Sequence, residues 1–359
     1  MTTPPKSSSQ MFREALLMLA PGTLLREGIS AILQSGTGAL LCIGNIKRLS
    51  NLSEGGVKLD AAMTPQLLYE LSKMDGALLL NEDGSRIFYA NRFLKPNARI
   101  PSEETGTRHR VAQRLAFQAR CIVVAVSQRR SSVTLYAYDR RLVLDSIPTL
   151  VNKAMQALQT LEKYIAVLRL AEQELTLREF QNVATIFDVC KTVQRTEMVF
   201  RIAQEIEPYI LELGTEGRLL ALQLEEMLMP VHEASLVVRD YYREQGGRTL
   251  ESVQSKIGSL TQPELLQLGN ICQALGYGSS LRSVDTYLSP RGFRVLTSTH
   301  RFSPQIIENL VNQFGSLRQI MRAPKDELVD VDGVGDVLAE RIRVSLDLMR
   351  NRLTPSERT

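Results

Sequence analysis

The sequence predicts a multidomain protein: an α/β N-terminal domain with a mixed sheet covered by helices, an all-α spine, and a C-terminal domain of helices around a glycine hairpin. The chain has 359 residues, more than one hydrophobic core usually serves. Strand and helix patterns alternate over its first part, whereas residues 151–207 contain neither glycine nor proline. We expect domains at residues 1–150, 151–290 and 291–359.

Short runs of aliphatic, branched and aromatic residues bounded by turn residues predict strands in the N-terminal domain. These runs cover residues 38–44, 76–81, 121–127 and 132–138. Between them, residues 65–74 and 108–119 have apolar side chains three and four positions apart, which predicts helices. Interleaved strands and helices indicate a sheet covered by helices.

The middle of the chain is predicted to be helical because its apolar residues follow helical spacing, as in Leu158, Leu161, Ile165, Leu168 and Leu175. One helix of this length would reach about 85 Å, so we expect two or three packed helices. Packing within one chain is favoured over a coiled-coil dimer, which stays an alternative. Towards residue 290, glycine and proline predict shorter helices and a linker.

The C-terminal region shows clear helix boundaries. Ser303 is a capping residue followed by proline at the first helical position, and Gly315 ends that helix. A short helix at 325–329, the segment VDGVGD at 331–336 and an amphipathic final helix follow. The order is helix, glycine hairpin, helix.

Composition excludes several protein classes. Mean hydropathy is −0.09, and no apolar stretch reaches the roughly 18 residues of a membrane helix, so we expect no membrane association. The first ten residues hold one lysine and no apolar core, which indicates a disordered tail rather than a signal peptide. We therefore expect a cytoplasmic protein. The four cysteines lack metal-site spacing and predict reduced, packed thiols.

Charge and motifs narrow the possible functions. Residues 1–150 hold 19 Lys and Arg against 12 Asp and Glu, and residues 151–285 hold 13 against 18. A basic first part suits an anionic ligand, whereas an acidic middle is a poor surface for DNA phosphates. P-loop, dinucleotide-binding, HExxH and GxSxG motifs are absent. The sequence has only three histidines, which argues against a multi-histidine metal site.

Two segments could bind a nucleotide and its metal. Asp75-Gly76 lies between a predicted helix and a predicted strand, where it is either a turn or a carboxylate that binds Mg²⁺ or Mn²⁺. In ETGTRHR, at 104–110, Thr107 is a plausible N-cap and the following helix start favours an anion. Three basic residues on that first turn cost stability, as expected at a phosphate site. A solvated basic turn is the alternative.

These segments, with GTGALLCIGN at 36–45, YANRFLKPN at 89–97 and SQRRSSVTLY at 127–136, resemble the diadenylate cyclase family. With the spine and the hairpin behind them, the whole chain resembles the bacterial DNA integrity scanning branch of that family. The resemblance implies condensation of two ATP into cyclic di-AMP with release of two pyrophosphates, and Mg²⁺ or Mn²⁺ as cofactor. It also implies a nucleoid-associated homo-octamer that recognises branched, Holliday-junction-like DNA.

The resemblance implies roles for particular residues. Asp75 would be the metal ligand and would be catalytic together with the basic run after Thr107. The implied ATP-binding residues are Gly76, Leu94, Thr107, Arg108, His109, Arg110, Val111, Ser127, Arg129 and Arg130. Where the family pattern has a threonine after RHR, this chain has Val111, so only a backbone N–H contact is expected there.

The hairpin segment resembles helix-hairpin-helix modules, in which glycines let the backbone approach a DNA phosphate. The DNA-binding residues expected on this basis are Gly333, Val334 and Gly335, with Arg294, Arg301, Arg341 and Arg343 as auxiliary contacts. A tight interhelical turn is the alternative. For the whole chain, the alternative is a DNA-binding, repair-associated protein whose N-terminal domain binds nucleotide without turnover.

Overall fold

The computed structural model describes residues 8–129, 131–244, 247–278, 287–299 and 302–353. The chain divides into two compact units. The first comprises Met1–Gln156 and Ile206–Leu222, and the second Ala157–Glu205 and Gln223–Thr359. The three domain ranges expected from the sequence stay a prediction.

The first unit contains a mixed sheet with helices on both faces. Its elements, in chain order, are α1 (Ser8–Met18), α2 (Leu24–Gln34), β1 (Ala39–Ile43), α3 (Ile46–Asn51), β2 (Ser53–Glu54), β3 (Val57–Ala62), α4 (Pro65–Ser72), β4 (Ala77–Leu80), β5 (Arg86–Leu94), α5 (Thr107–Ala119), β6 (Ile122–Ser127), β7 (Ser132–Ala137) and β8 (Arg140–Leu144). The four predicted strands and two predicted helices are confirmed as β1, β4, β6, β7, α4 and α5.

Within the described residues the strand order is β2-β5-β4-β1-β6-β7-β8, and β3 also pairs with β5. β1 and β4 are parallel, and the other pairs are antiparallel, so the predicted mixed sheet is confirmed. The strands β2, β3, β5 and β8 were not predicted. Most of their residues are exposed or half-buried, so they lack the continuous buried apolar run that marks the central strands.

Successive residues of β1 enter different cores because side chains alternate across a sheet. Leu41 and Ile43 belong to a core that α1, α2 and α4 cover. Leu40 and Cys42 belong to a second core, which α5 covers with Leu115 and its neighbours. Burial on both faces explains why this strand is a run of apolar residues.

The remaining helices begin after β8. They are α6 (Ile147–Gln181), α7 (Ile186–Leu213), α8 (Arg218–Ala234), α9 (Leu236–Tyr241), α10 (Leu250–Gly258), α11 (Gln262–Leu265), α12 (Leu268–Leu275), α13 (Phe293–Thr297), α14 (Pro304–Phe314), α15 (Leu317–Arg322), α16 (Lys325–Val329) and α17 (Asp336–Leu353), with a 3₁₀ turn at Gly214–Gly217. The predicted helical middle region is confirmed, because it forms two long helices, α6 and α7, as expected in preference to one rod. All five of the predicted core residues on α6 are buried.

A buried ionic cluster lies inside the second unit. Arg294 is 5% exposed and forms an ion pair with Glu179, which is 4% exposed. The carboxylate of Asp240 accepts hydrogen bonds from three successive backbone N–H groups at the start of α13, at 2.7–3.0 Å. The prediction that Arg294 contacts DNA is therefore wrong, because its guanidinium is enclosed by the protein. Burial raises the pKa of Glu179 to about 7, although the neighbouring guanidinium of Arg294 acts to lower it.

The predicted boundaries of the C-terminal helices are confirmed. Ser303 caps α14, where its Oγ accepts a hydrogen bond from the N–H of Ile306, and Gly315 ends the helix with a φ of 71°. The short helix at 325–329 and the long final helix are α16 and α17. The four cysteines form no disulfide and are buried, which confirms packed thiols.

Candidate active site

One edge of the sheet collects most of the predicted site residues. β1 and β4 are parallel neighbours, so the segments that lead into both strands lie at the same edge. β5 and β6 run antiparallel to them and end at this edge with Leu94 and Ser127. Asp75 and Gly76 lead directly into β4. The sheet topology thus brings four residues together from three distant parts of the sequence.

Asp75 offers an accessible carboxylate. Its side chain is exposed and makes no hydrogen bond or ion pair with any described residue. The next residue, Gly76, has a φ of +105°, and a Cβ added there would lie 2.9 Å from the carbonyl carbon and Oδ1 of Asn91. Only glycine fits this conformation and this space, because residues 91 and 92 of β5 pack directly against it.

The start of α5 lies at the same edge, because the helix packs antiparallel to β6. The predicted N-cap at Thr107 is wrong by one residue: Gly106 is the N-cap, with φ −83° and ψ 136°, and Thr107 is the first helical residue. No side chain caps the helix, and its first turn contains no acid. The first N–H groups therefore point out of the helix end together with the positive end of the dipole.

Arg108 lies across the backbone that leads into β1. The residue is exposed, and a Cβ added to Gly38 would come within 2.6 Å of its Nη1 and 3.2 Å of the carbonyl oxygen of Val126. A glycine at position 38 thus leaves room for the guanidinium. Sequence reasoning missed this role, because Gly38 and Arg108 are 70 positions apart and only the fold brings them together.

His109 is the first member of a hydrogen-bonded chain that sequence reasoning also missed. Its Nδ1 lies 2.9 Å from the hydroxyl of Tyr136, which donates to Oε1 of Glu104 at 2.7 Å. The same carboxylate oxygen lies 2.6 Å from Nε of Arg141. Tyr136 is 1% exposed, and burial, with a smaller contribution from Glu104, raises the pKa of its phenol well above the ordinary value. The phenol therefore keeps its proton.

The loop that precedes α5 is attached along the helix. Four α5 side chains, spaced along one side of the helix, bond to loop atoms at 2.5–3.2 Å: Gln118 to the amide of Asn97, Arg114 to the carbonyl of Ile100, Gln113 to the hydroxyl of Ser102, and Arg110 to the carbonyl of Glu104. The loop that delivers Glu104 and Gly106 to the site thus has a defined path.

The other predicted ATP-binding residues differ in exposure. Leu94 is 7% exposed, and Val111 is half-buried against the same core. Val111 lies one turn into α5, where the helical i to i−4 pattern engages its N–H, so it is a poor donor to a ligand. Ser127 is half-buried, and Arg129 is exposed in the turn that follows β6. Arg130 lies outside the described residues.

A metal bound at Asp75 would need ligands from outside the described chain. Among the described residues, no group of three His, Cys, Asp or Glu side chains could hold a metal ion. Mg²⁺ commonly uses one or two carboxylates together with substrate phosphates and water, and an exposed, unpaired carboxylate fits that pattern. Asp75 therefore suits a metal that arrives with a nucleotide better than a permanently bound one.

The glycine hairpin lies between α16 and α17. Gly333 has a φ of +82°, whereas Gly335 has no positive φ, and a Cβ added to Gly335 meets no atom within 4 Å. Val334, between them, is 5% exposed and belongs to the core of these helices. Arg341 and Arg343, on α17, are exposed, and Arg301 lies outside the described residues. The backbone at Gly335 is therefore open to a partner, while the side chain of Val334 is not.

Comparisons with known proteins match both parts of the chain. Residues 26–141 match the family described as DisA bacterial checkpoint controller nucleotide-binding, and residues 144–284 match the DisA bacterial checkpoint controller linker region. The chain belongs to the DisA family. The resemblance drawn from the sequence is thereby confirmed, and the sheet edge described above lies within the nucleotide-binding region of the DisA family.

Relatives in the DisA family align over nearly the whole chain. The DNA integrity scanning protein DisA of Carboxydothermus hydrogenoformans is 46% identical over 94% of this chain and 96% of its own length. The DisA of Clostridium perfringens is 44% identical over 95% of this chain and 96% of its own length. Among solved structures, DacA from Staphylococcus aureus covers 39% of this chain and 91% of its own, at 20% identity and a TM-score of 0.29, which is too low to add to the assignment. None of the described helices combines the length and apolarity needed to span a bilayer.

Proposed function

We propose that this protein is a diadenylate cyclase that condenses two ATP into cyclic di-AMP and two pyrophosphates. The observation that carries the proposal is the convergence of an accessible carboxylate and an uncapped, basic helix start at one sheet edge. Family membership supports the nucleotide as the ligand. The specific reaction is our inference from this geometry and from the resemblance.

In each half of the reaction, a ribose 3′-oxygen attacks the α-phosphorus of the other ATP, and the bond from that phosphorus to the bridging oxygen breaks. The 3′-hydroxyl proton is released, and pyrophosphate leaves. Phosphoryl transfer of this kind needs positioning and charge neutralisation more than a covalent nucleophile. The N–H groups at the start of α5, together with Arg108 and Arg110, would hold the triphosphate, and Ser127 and Arg129 would add contacts.

Asp75, at the entrance of β4, would hold Mg²⁺ or Mn²⁺ together with phosphate oxygens, and the ion would supply positive charge against the charge that develops on the transferred phosphate. Gly76 and Leu94 would border the adenosine. Arg130 and the N–H of Val111 stay predictions of the resemblance.

The two half-reactions need two nucleotides that face each other, so a single chain is insufficient. We propose that two N-terminal domains meet across a two-fold axis, as the resemblance implies, within a homo-octamer. Each domain then presents one ATP to the other. A monomer is expected to bind nucleotide and to produce no cyclic di-AMP.

DNA recognition is the second part of the proposal. The open backbone at Gly335 and the start of α17 would accept a DNA phosphate without regard to sequence. We propose that the helices around this hairpin form a helix-hairpin-helix module that binds branched DNA and regulates the cyclase in a cytoplasmic, nucleoid-associated checkpoint. Several weak modules in one oligomer would raise the affinity.

Substitution of Asp75 tests the cyclase. The purified protein is incubated with ATP and either Mg²⁺ or Mn²⁺, and products are identified by mass spectrometry. We expect cyclic di-AMP from the wild type and at least a hundredfold less from Asp75→Asn, because the neutral amide lacks the negative charge that would bind the metal. Asp83→Asn is the matched control, since Asp83 follows the opposite end of β4.

Full turnover by Asp75→Asn would refute the metal role. No cyclic product from an oligomeric wild type with either metal would favour the alternative, a DNA-binding protein with an inactive nucleotide-binding domain.

A further inference from the structure

The hydrogen-bonded chain behind His109 determines which ring nitrogen carries a proton. A carboxylate only accepts hydrogen bonds, so the hydroxyl of Tyr136 must donate its single proton to the bond with Glu104, 2.7 Å away. The hydroxyl oxygen can then only accept from the histidine ring, whose Nδ1 lies 2.9 Å away. His109 therefore carries a proton on Nδ1.

We propose that Glu104 and Tyr136 are positioning residues that hold His109 with its proton on Nδ1, so that Nε2 is the nitrogen that meets the phosphates of the nucleotide. The nucleotide part of this inference rests on the proposed function. The hydrogen bond made by one ring nitrogen sets the state of the other, so the chain prepares Nε2 for one defined role.

That role follows from the chemistry of phosphate oxygens, which are acceptors. A neutral Nε2 is also an acceptor and repels them, so the contact requires a second proton on the ring. The negative charge of Glu104, two hydrogen bonds away through the Tyr136 hydroxyl, complements a positive charge on the ring.

Charged groups from several elements act on this histidine. Glu104 approaches from the loop, and Arg141 on β8 bonds to the same carboxylate oxygen. Arg108 and Arg110 flank His109 on its own helix and oppose a positive charge on it. Glu104 is thus the acidic group that this chain of contacts brings to His109. Removal of its charge is expected to weaken the contact between His109 and the phosphates.

The proton position can be measured directly. Magic-angle-spinning NMR of the sedimented full-length protein, labelled with ¹⁵N-histidine, reports which ring nitrogens are protonated, and His109→Gln identifies the signals among three histidines. We expect a protonated Nδ1 in the wild type and loss of this preference in Tyr136→Phe. A proton found only on Nε2 in the wild type, or no change in Tyr136→Phe, would overturn the proposal.

The nucleotide part is tested with a non-hydrolysable ATP analogue. We expect it to shift the Nε2 signal of the wild type, and an unmoved signal would contradict a phosphate contact. Analogue affinity is then measured in Glu104→Gln and Tyr136→Phe, with Glu103→Gln and Tyr138→Phe as matched controls. We expect affinity to fall about tenfold to a hundredfold in the first pair.

The same experiments separate this inference from the cyclase proposal. A wild type that shifts Nε2 on binding the analogue but forms no cyclic di-AMP from ATP would refute the cyclase and leave the positioning role intact. Control variants that lose affinity as strongly as Glu104→Gln and Tyr136→Phe would reduce the effect to general destabilisation and overturn the positioning role.

Discussion

At the scale of single residues, the space above Gly38 is as important as any charged group at the site. The guanidinium of Arg108 occupies the volume that a side chain at position 38 would need. A methyl group there would displace this guanidinium without changing any charged residue of the site. Position 38 therefore allows the arginine to be moved without its removal.

Substitution Gly38→Ala is expected to lower nucleotide affinity about tenfold, because a charge-assisted hydrogen bond to phosphate is weakened. The measurement is isothermal titration with a non-hydrolysable ATP analogue. The added Cβ also approaches the carbonyl oxygen of Val126 at 3.2 Å, so the melting temperature must be recorded beside the affinity.

A double-mutant cycle provides the control for this prediction. In an Arg108→Ala background, Gly38→Ala should cause little further loss of affinity, since the displaced group is already absent. Additive losses would mean that Gly38 acts through some other contact.

The sequence predicts the charged residues of the site better than their supports. The basic turn stands out because it breaks the local rule for a helix start, whereas Asp75 gains its role only from the family resemblance. Tyr136 and Arg141 have no such signal, since a tyrosine and an arginine within strands are ordinary. Their role depends on β7 and β8 lying side by side, with Tyr136 opposite Arg141, which only the sheet register shows.

At the scale of elements, the helix start at Gly106 explains an error of prediction. Thr107 has the composition of an N-cap, yet glycine takes that position and no hydroxyl is used. A capping side chain would occupy the first N–H groups of α5, the same groups that an anion would need. Local propensity therefore predicts the helix and misplaces its first residue by one.

The hairpin between α16 and α17 offers a second test at this scale. Gly335→Leu is expected to leave α17 folded, because the position is open, and to reduce affinity for a four-way DNA junction about tenfold at fixed salt. Fluorescence anisotropy measures the affinity. Gly258→Leu is the matched control, since Gly258 is also open and lies on α10.

Unchanged junction binding by Gly335→Leu would mean that the hairpin is only an interhelical turn. The corresponding change at Gly333 is less informative, because its φ of +82° makes any side chain strained.

At the scale of the whole molecule, the buried cluster around Arg294 makes stability depend on pH. The folded-state pKa of Glu179, about 7, is raised above the ordinary value of 4.5, so the folded protein retains a proton that the unfolded chain has lost. This contribution to stability is fully present below the unfolded pKa and is lost as the pH rises through about 7. A shift of this size corresponds to about 3 kcal/mol.

Urea unfolding at pH 5.5, 6.5 and 7.5 tests this dependence. The wild type is expected to lose stability as the pH rises, and Glu179→Gln to lose less, because the amide does not titrate. Glu205→Gln, at an exposed position, should follow the wild type. A parallel decline in Glu179→Gln would assign the effect to another group, such as Asp240, whose pKa burial also raises.

Prediction from the sequence was most accurate for the most buried elements. Central strands and long helices have strong apolar patterns, and β1, β6, α6 and α7 were all anticipated. Arg294 was misassigned because nothing in its local sequence distinguishes it from the other arginines near the hairpin. Its partners, Glu179 and Asp240, are 115 and 54 positions away, so only the fold reveals that the charge is enclosed.

The bonds between α5 and its preceding loop have a consequence for the entropy of binding. A loop without fixed contacts would lose conformational freedom when a ligand arrives, and each ordered residue would weaken association by about 1–2 kcal/mol. Here the side chains of Gln118, Arg114, Gln113 and Arg110 restrict that freedom when the protein folds. A ligand at the helix start thus meets a surface that is already ordered, and association is expected to proceed without a slow rearrangement of this loop.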